Sequence, residues 1–351
     1  MSFTSENRSG ALTRQEQRTS TPDTKRNPIE ETERTMTYLG VELPKAQEGS
    51  KFLVPRRGNY ENFVNDAELT LPLQRDIAIS LLSGDPMLID GGTSLGKTTT
   101  VKKMCAELGY EVHYANLSGA TEVEDLIGRF IPNPHKKSSD DPEFMHADGS
   151  VTKGLRLEKG KIKVIILDEF NASSPKVLIR LHEILDSLER GTEVVIDGTA
   201  EQVPVDKAQT KIIALMNPPG NGFIGREPLD PAQLRRWVYK KLPSELPVST
   251  FSFATDSLFG IASEAIPDVH PSQFMTMPVL AMSPEMIREI PGIEEITGRY
   301  KEFHLAAKEL LKAGTLGADQ PQSFMFDDRM EPRRVRDFIC QFYTGDINET
   351  F

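Results

Sequence analysis

The sequence predicts an α/β fold, a parallel sheet with helices on its faces followed by a small helical C-terminal region, and three observations carry that prediction. Short apolar runs end in polar residues at Met87-Leu88-Ile89, Val164 to Leu167 and Ile212 to Met216, which is how strands buried on both faces read. Between them lie segments with apolar residues at helical spacing, such as Val101, Met104, Cys105 and Leu108, or Val177, Leu178, Leu181, Ile184, Leu185 and Leu188. Alternation of strand and helix implies parallel strands. Beyond Pro243 the periodicity turns mainly helical.

The 351 residues leave room for one large or two ordinary domains and a tail. A net charge of -11 argues against a non-specific nucleic-acid binder, which carries a basic surplus. No apolar run reaches membrane-spanning length and no charged-then-apolar leader opens the chain, so a soluble, cytoplasmic protein is expected. Both cysteines, Cys105 and Cys340, read as small core residues. The division expected is a disordered tail over 1–35, an N-terminal extension over 36–69, an α/β core over 70–243 and a helical lid over 244–351. Few apolar residues occur in the tail. The extension is expected to attach through Phe52-Leu53-Val54, Tyr60, Phe63 and Val64.

In chain order, Leu73 to Leu82 is a helix closed by Ser83-Gly84, leading into the strand at Met87. After Gly91-Gly92-Thr93-Ser94-Leu95-Gly96-Lys97-Thr98-Thr99 a helix runs to Leu108 and stops at Gly109, and Glu111 to Asn116 is a second strand. A long insertion spans Leu117 to Lys161, with a short helix at Thr121 to Gly128 and an exposed loop from Pro132 to Pro142. Lys163 to Asp168 is a strand. Ser174-Pro175 then caps a helix, and Glu193 to Val205 is a hairpin turning at Asp197-Gly198-Thr199. The strand Lys211 to Met216 ends at Asn217. In the lid, Ile293 to Lys312 is a long helix. Val335, Phe338, Ile339 and Phe342 share a face of the last helix, with Arg333 nearly opposite at about 100° per residue.

The chemistry gathers at strand ends. Glycines in the Gly91 to Thr99 loop let successive N–H groups point at one anion, and the following helix directs its positive end there. Lys97 would reach the outer phosphates of a nucleotide and Thr98 would give its hydroxyl to magnesium. Asp168, about seventy residues downstream, would hold the same ion through its water shell, and Glu169 would polarise the attacking water. Asn217 is an uncharged amide suited to orienting that water. Arg235 and Arg236 end a predicted helix on the surface, where an arginine can enter a neighbouring subunit's site.

Taken in order, the phosphate loop, Asp168-Glu169, Asn217, Arg235-Arg236 and Arg333 resemble the AAA+ ATPases. Thr121 to Gly128, Asp168-Glu169-Phe170-Asn171, Met216-Asn217-Pro218 and Gly225-Arg226 to Trp237 are similar to the branch holding MoxR, CbbQ/NorQ, midasin and the dynein-related modules. That resemblance covers roughly residues 70 to 345. It implies a P-loop core, ATP and Mg2+ as cofactors, a helix-2 insert, a hairpin before sensor 1 at Asn217, sensor 2 at Arg333, and Arg236 as a finger acting in trans. It also implies a hexameric ring that remodels a protein client, often one with a von Willebrand A domain; the acidic charge and the lack of a membrane-length apolar run argue separately against direct nucleic-acid or membrane contact. The loop departs from the commoner Gly-Pro-Pro-Gly form. Where relatives carry Arg-Phe this chain has Arg235-Arg236-Trp237, which leaves both arginines as candidates, and Arg333-Arg334 leaves the same choice in the lid. Two other readings stay open: a nucleic-acid-associated, GTP-using motor of a restriction system, and a nucleotide-dependent switch or scaffold with little turnover.

Overall fold

The computed structural model describes residues 27–60, 63–93, 95–219, 228–243, 245–261, 284–313, 328 and 330–342, without the side chains of 284, 285, 330, 333 and 340–342. At its centre stand β4 (Met87–Asp90), β5 (Glu111–Asn116), β8 (Lys163–Asp168), β11 (Thr210–Met216) and β12 (Val238–Lys241), after a three-stranded N-terminal sheet of β1 (Ile29–Glu31), β2 (Thr35–Tyr38) and β3 (Val41–Pro44). The central order is β12-β4-β11-β8-β5, and every pairing is parallel. This is the P-loop α/β arrangement predicted.

Strand side chains alternate between faces, and the two cores follow from that. Met87, Ile89, Val164, Ile166, Ile213 and Leu215 face α1 (Thr70–Ser83) and α2 (Lys97–Leu108). Leu88, Ile165, Leu167, Ile212, Ala214 and Met216 face α5 (Pro175–Arg190). Asp168 continues the parity of Val164 and Ile166, so it is turned toward α2. Helix α5 begins as its sequence specifies, with Ser174 accepting from the Val177 N–H and Pro175 in the first turn.

Three features depart from expectation. Residues 29–35, assigned to the disordered tail, belong to the N-terminal sheet: β1 pairs antiparallel with β2, whose Met36 and Tyr38 are buried. Ile29-Glu30-Glu31 is a polar edge strand, and its order comes from a partner rather than from its own apolar content. Phe52, taken as an attachment point, is 98% exposed. Backbone contacts fasten that turn instead, with the Ser50 N–H donating to Glu111 Oε1 and the Val112 N–H to the Leu53 carbonyl. Finally, the insertion is not simply a loop. After α3 (Val123–Ile127) it forms an antiparallel ribbon of β6 (Gly128–Pro132) and β7 (Phe144–Asp148), then α4 (Ser150–Leu155).

The hairpin is present as β9 (Val194–Val195) and β10 (Gln202–Val203). Arg156 joins it to the ribbon, bonding Asp148 on β7 and Glu201 beside β10. A short α6 (Pro231–Leu234) precedes β12, an edge strand the sequence reading did not separate from the core's end. The C-terminal region is helical, with α7 (Val248–Leu258), α8 (Pro284–Arg288), α9 (Ile293–Lys312) and α10 (Met330–Phe342) among the described residues. Leu258, Phe259, Ile287, Ile290, Ile293 and Ile339 make its own apolar cluster. Thr250 on α7 donates to Asp66 Oδ1 at 3.0 Å, and His304 on α9 stacks on Phe251.

Candidate functional site

Parallel sheets place chemistry outside the carboxyl ends of their strands. Here β4, β11 and β8 are neighbours, so the loop after β4, Asn217 after β11 and Asp168-Glu169 at the end of β8 meet at one edge. Gly91 must be glycine for packing, since a Cβ there would stand 2.8 Å from Leu242 Cβ. Gly96 carries φ +74°, the left-handed turn that starts α2. The first N–H groups of α2 have no acceptor within their own helix.

Lys97 is only 8% exposed and folds back into the loop. Its Nζ donates to the carbonyls of Gly91 and Gly92, at 2.6 and 2.8 Å, and to Asn217 Oδ1 at 2.8 Å. Asn217 in turn donates through Nδ2 to both oxygens of Glu169, at 3.1 and 3.3 Å. One amide therefore links the phosphate-loop lysine to the acidic residue after β8. Glu169 adopts φ +55°, unusual for a residue with a side chain and worth roughly 1–2 kcal/mol of backbone strain. Asn171 braces the arrangement by donating from Nδ2 to the Asn217 carbonyl at 2.9 Å.

Asp168 accepts three hydrogen bonds. Thr98 Oγ1 and Tyr114 OH both reach Oδ2 at 2.9 Å, and the Glu169 N–H reaches Oδ1 at 3.0 Å. Burial, then the bond to Asp168, pushes the Tyr114 phenol up, which keeps it a donor. The Thr98 and Asp168 oxygens are hard donors set at the mouth of an anion-binding loop, and that set fits a magnesium ion shared with phosphate and water.

Two predicted arginines differ sharply. Arg236 Nε and Nη2 donate to the two oxygens of Asp186 on α5, at 2.7 and 3.2 Å, while Nη1 reaches the Ala232 carbonyl. The guanidinium holds the Asp186 carboxyl below its usual range. Arg235 caps α6 and is exposed. Arg333 lies in α10, its side chain outside the described set; Arg334 is exposed and bonds Glu331. Ser94 of the loop and Gly225-Arg226 also fall outside the described residues.

Sequence reasoning missed Tyr114 and gave no role to Asn171. The Tyr114 signal was parity: Val112, Tyr114 and Asn116 share a face of β5, and register sets Asn116 against Asp168. Register between distant parallel strands is not written in either strand alone.

Phosphate loop, strand-end carboxylates and sheet order together define a P-loop nucleotide-binding protein. Within that class, residues 86–237 match the family profile described as AAA domain (dynein-related subfamily). Midasin of Giardia intestinalis is 27% identical over 166 residues, covering 47% of this chain and 3% of that protein. Midasin of Dictyostelium discoideum is 28% identical over 153 residues, covering 44% of this chain and 2% of its own length. Protein NorQ of Paracoccus denitrificans (strain Pd 1222) is 27% identical over 176 residues, covering 49% of this chain and 59% of NorQ. The chain thus matches a small part of each midasin and somewhat over half of NorQ. No described helix is long and apolar enough to cross a membrane.

Proposed function

We propose that the protein binds and hydrolyses ATP with magnesium, working as a ring that remodels a protein client. The Asn217 bridge between Lys97 and Glu169 carries the catalytic part of this reading. It joins the group that meets the terminal phosphate to the group that activates water, so occupancy of the loop is felt at the carboxylate. Loop N–H groups from Gly91 to Thr99 and the Lys97 ammonium bind the phosphates. Thr98 and Asp168 would hold the magnesium ion, which when bound would supply neutralisation of phosphate charge. Glu169 takes the proton of the attacking water and Asn217 orients it.

The chain supplies its own lysine and carboxylates, and the remaining cation comes from a neighbour in the ring. We assign that role to the exposed Arg235, with Arg236 anchoring the segment through Asp186; the family resemblance points to Arg236 instead, and the mixing experiment below separates the two. Arg333 on the lid would act as sensor 2. Client contact is assigned to the ribbon and hairpin, where Phe130, Phe144 and Val195 are exposed apolar side chains. A protein with a von Willebrand A domain is the client class that the resemblance favours, and the compartment is taken as cytoplasmic.

Lys97→Ala should abolish nucleotide binding. Glu169→Gln should bind as wild type does and hydrolyse about 10²–10⁴-fold more slowly. Fluorescent-nucleotide titration and phosphate release measure the two effects, and equal affinity in Lys97→Ala and wild type would sink the site assignment.

A further inference from the structure

A carboxylate offers about four lone-pair positions. In Asp168, Oδ2 takes hydrogen bonds from two hydroxyls, Thr98 and Tyr114, and Oδ1 takes one from the Glu169 N–H. Three positions are filled and the carboxylate plane is fixed from both sides. Thr98 uses only its proton in this contact, so its oxygen remains open to a cation. Tyr114 has no such second task. Its ring is set by the strand parity that turns Tyr114 and Asp168 toward α2, and by Lys102, whose Nζ lies 4.0 Å from the ring centroid. Lys102 follows Thr98 by one helical turn, so a single face of α2 carries the Thr98 hydroxyl and contacts the Tyr114 ring.

We propose that Tyr114 is a positioning residue for the metal-holding carboxylate: its hydroxyl locks Asp168 with Oδ1 as the one place left for a metal-bound water. The proposal rests on the reading of Thr98 and Asp168 as the magnesium pair. Groups that orient a metal's ligands typically change its affinity about 10–100-fold when removed. A tyrosine on the neighbouring strand would thus tune how much magnesium the nucleotide complex needs, without touching nucleotide or metal.

The test measures coupling between metal and nucleotide in the full chain. A fluorescent ATP analogue is titrated in EDTA and then at rising magnesium, for wild type, Tyr114→Phe and Tyr239→Phe. The last is a matched control, because Tyr239 makes the same kind of bond to a strand-end carboxylate, Asp90, at 2.6 Å. Tyr114→Phe should keep its EDTA affinity within about twofold of wild type while the magnesium for half-maximal tightening rises about tenfold. Tyr239→Phe should follow the wild-type magnesium curve. If Tyr114→Phe also follows that curve, or if its affinity falls equally with and without metal, the positioning role is overturned and the nucleotide site stands. A wild-type protein that binds no nucleotide, or binds it without response to magnesium, overturns the underlying reading together with the proposal.

Discussion

His113 shows how a residue can matter to this fold without belonging to its site. It is buried on β5, and desolvation, with the nearby Lys163 ammonium, pushes its pKa down to about 4. The unfolded chain binds a proton near the ordinary value of about 6.5, so below that pH protonation favours unfolding. Stability is unaffected by His113 above about 6.5, falls as pH drops toward 4 by up to about 1.4 kcal/mol per unit, and levels below. His113→Gln should flatten this limb. Urea midpoints between pH 4 and 7 check it, and an unchanged slope would mean that the histidine charges inside the folded protein.

At the level of elements, the ribbon β6–β7 and the hairpin β9–β10 behave as one unit through Arg156. Asp148 is held below the usual carboxylate range, chiefly by its hydrogen bonds to Arg156. The Asp148 contribution is therefore present at neutral pH and lost only as pH falls below the ordinary carboxylate value and through the depressed one. Phe130 lies against the hairpin's turn, 3.3 Å from where a Cβ on Gly198 would sit. Arg156→Met should release both elements together, seen as faster amide exchange in 128–132, 144–148 and 194–203, with nucleotide affinity kept within about twofold. Faster exchange in only one of them would disprove the linkage. This assembly also marks the limit of sequence legibility. Strands β4, β5, β8 and β11, with α2 and α5, announced themselves because buried runs and capped amphipathic helices are local patterns. The ribbon did not, because Arg129, Phe130, Phe144 and His146 read as loop composition until antiparallel pairing gives them a sheet. In the site, Lys97, Thr98, Asp168 and Asn217 were readable from motif position. The Asn217 bridge, the Tyr114 bond and the Arg236–Asp186 pair were not, since each joins residues whose spacing along the chain says nothing of their distance in space.

At the scale of the whole molecule, the proposed division of labour between subunits makes hydrolysis depend on assembly. Arg236 is engaged with its own Asp186, whereas Arg235 is exposed. An arginine finger is worth about 10³–10⁵ in rate. Arg235→Ala should keep ATP binding and lose most turnover, and mixing it with Glu169→Gln should restore part, because some interfaces then pair an intact glutamate with an intact arginine. Arg236→Ala should lower turnover and thermal stability together. Rescue by mixing with Arg236→Ala in place of Arg235→Ala would exchange the two assignments. Turnover per subunit that stays constant on dilution to monomer would remove the trans arrangement altogether.

Sheet order has a consequence during synthesis. Strand β4 lies between β11 and β12, so Met87, whose sheet partners are Ile213 and Val238, leaves the ribosome long before either exists. At roughly 5–20 residues per second the wait is on the order of 10 s. Throughout it Met87, Leu88 and Ile89, each at most 1% exposed in the finished protein, have no strand to cover them. The nascent chain thus carries its phosphate loop on an unpaired apolar strand, a natural holding point for a ribosome-associated chaperone. Chains released before Thr210 should aggregate, whereas chains released after Lys241 should hold a complete sheet.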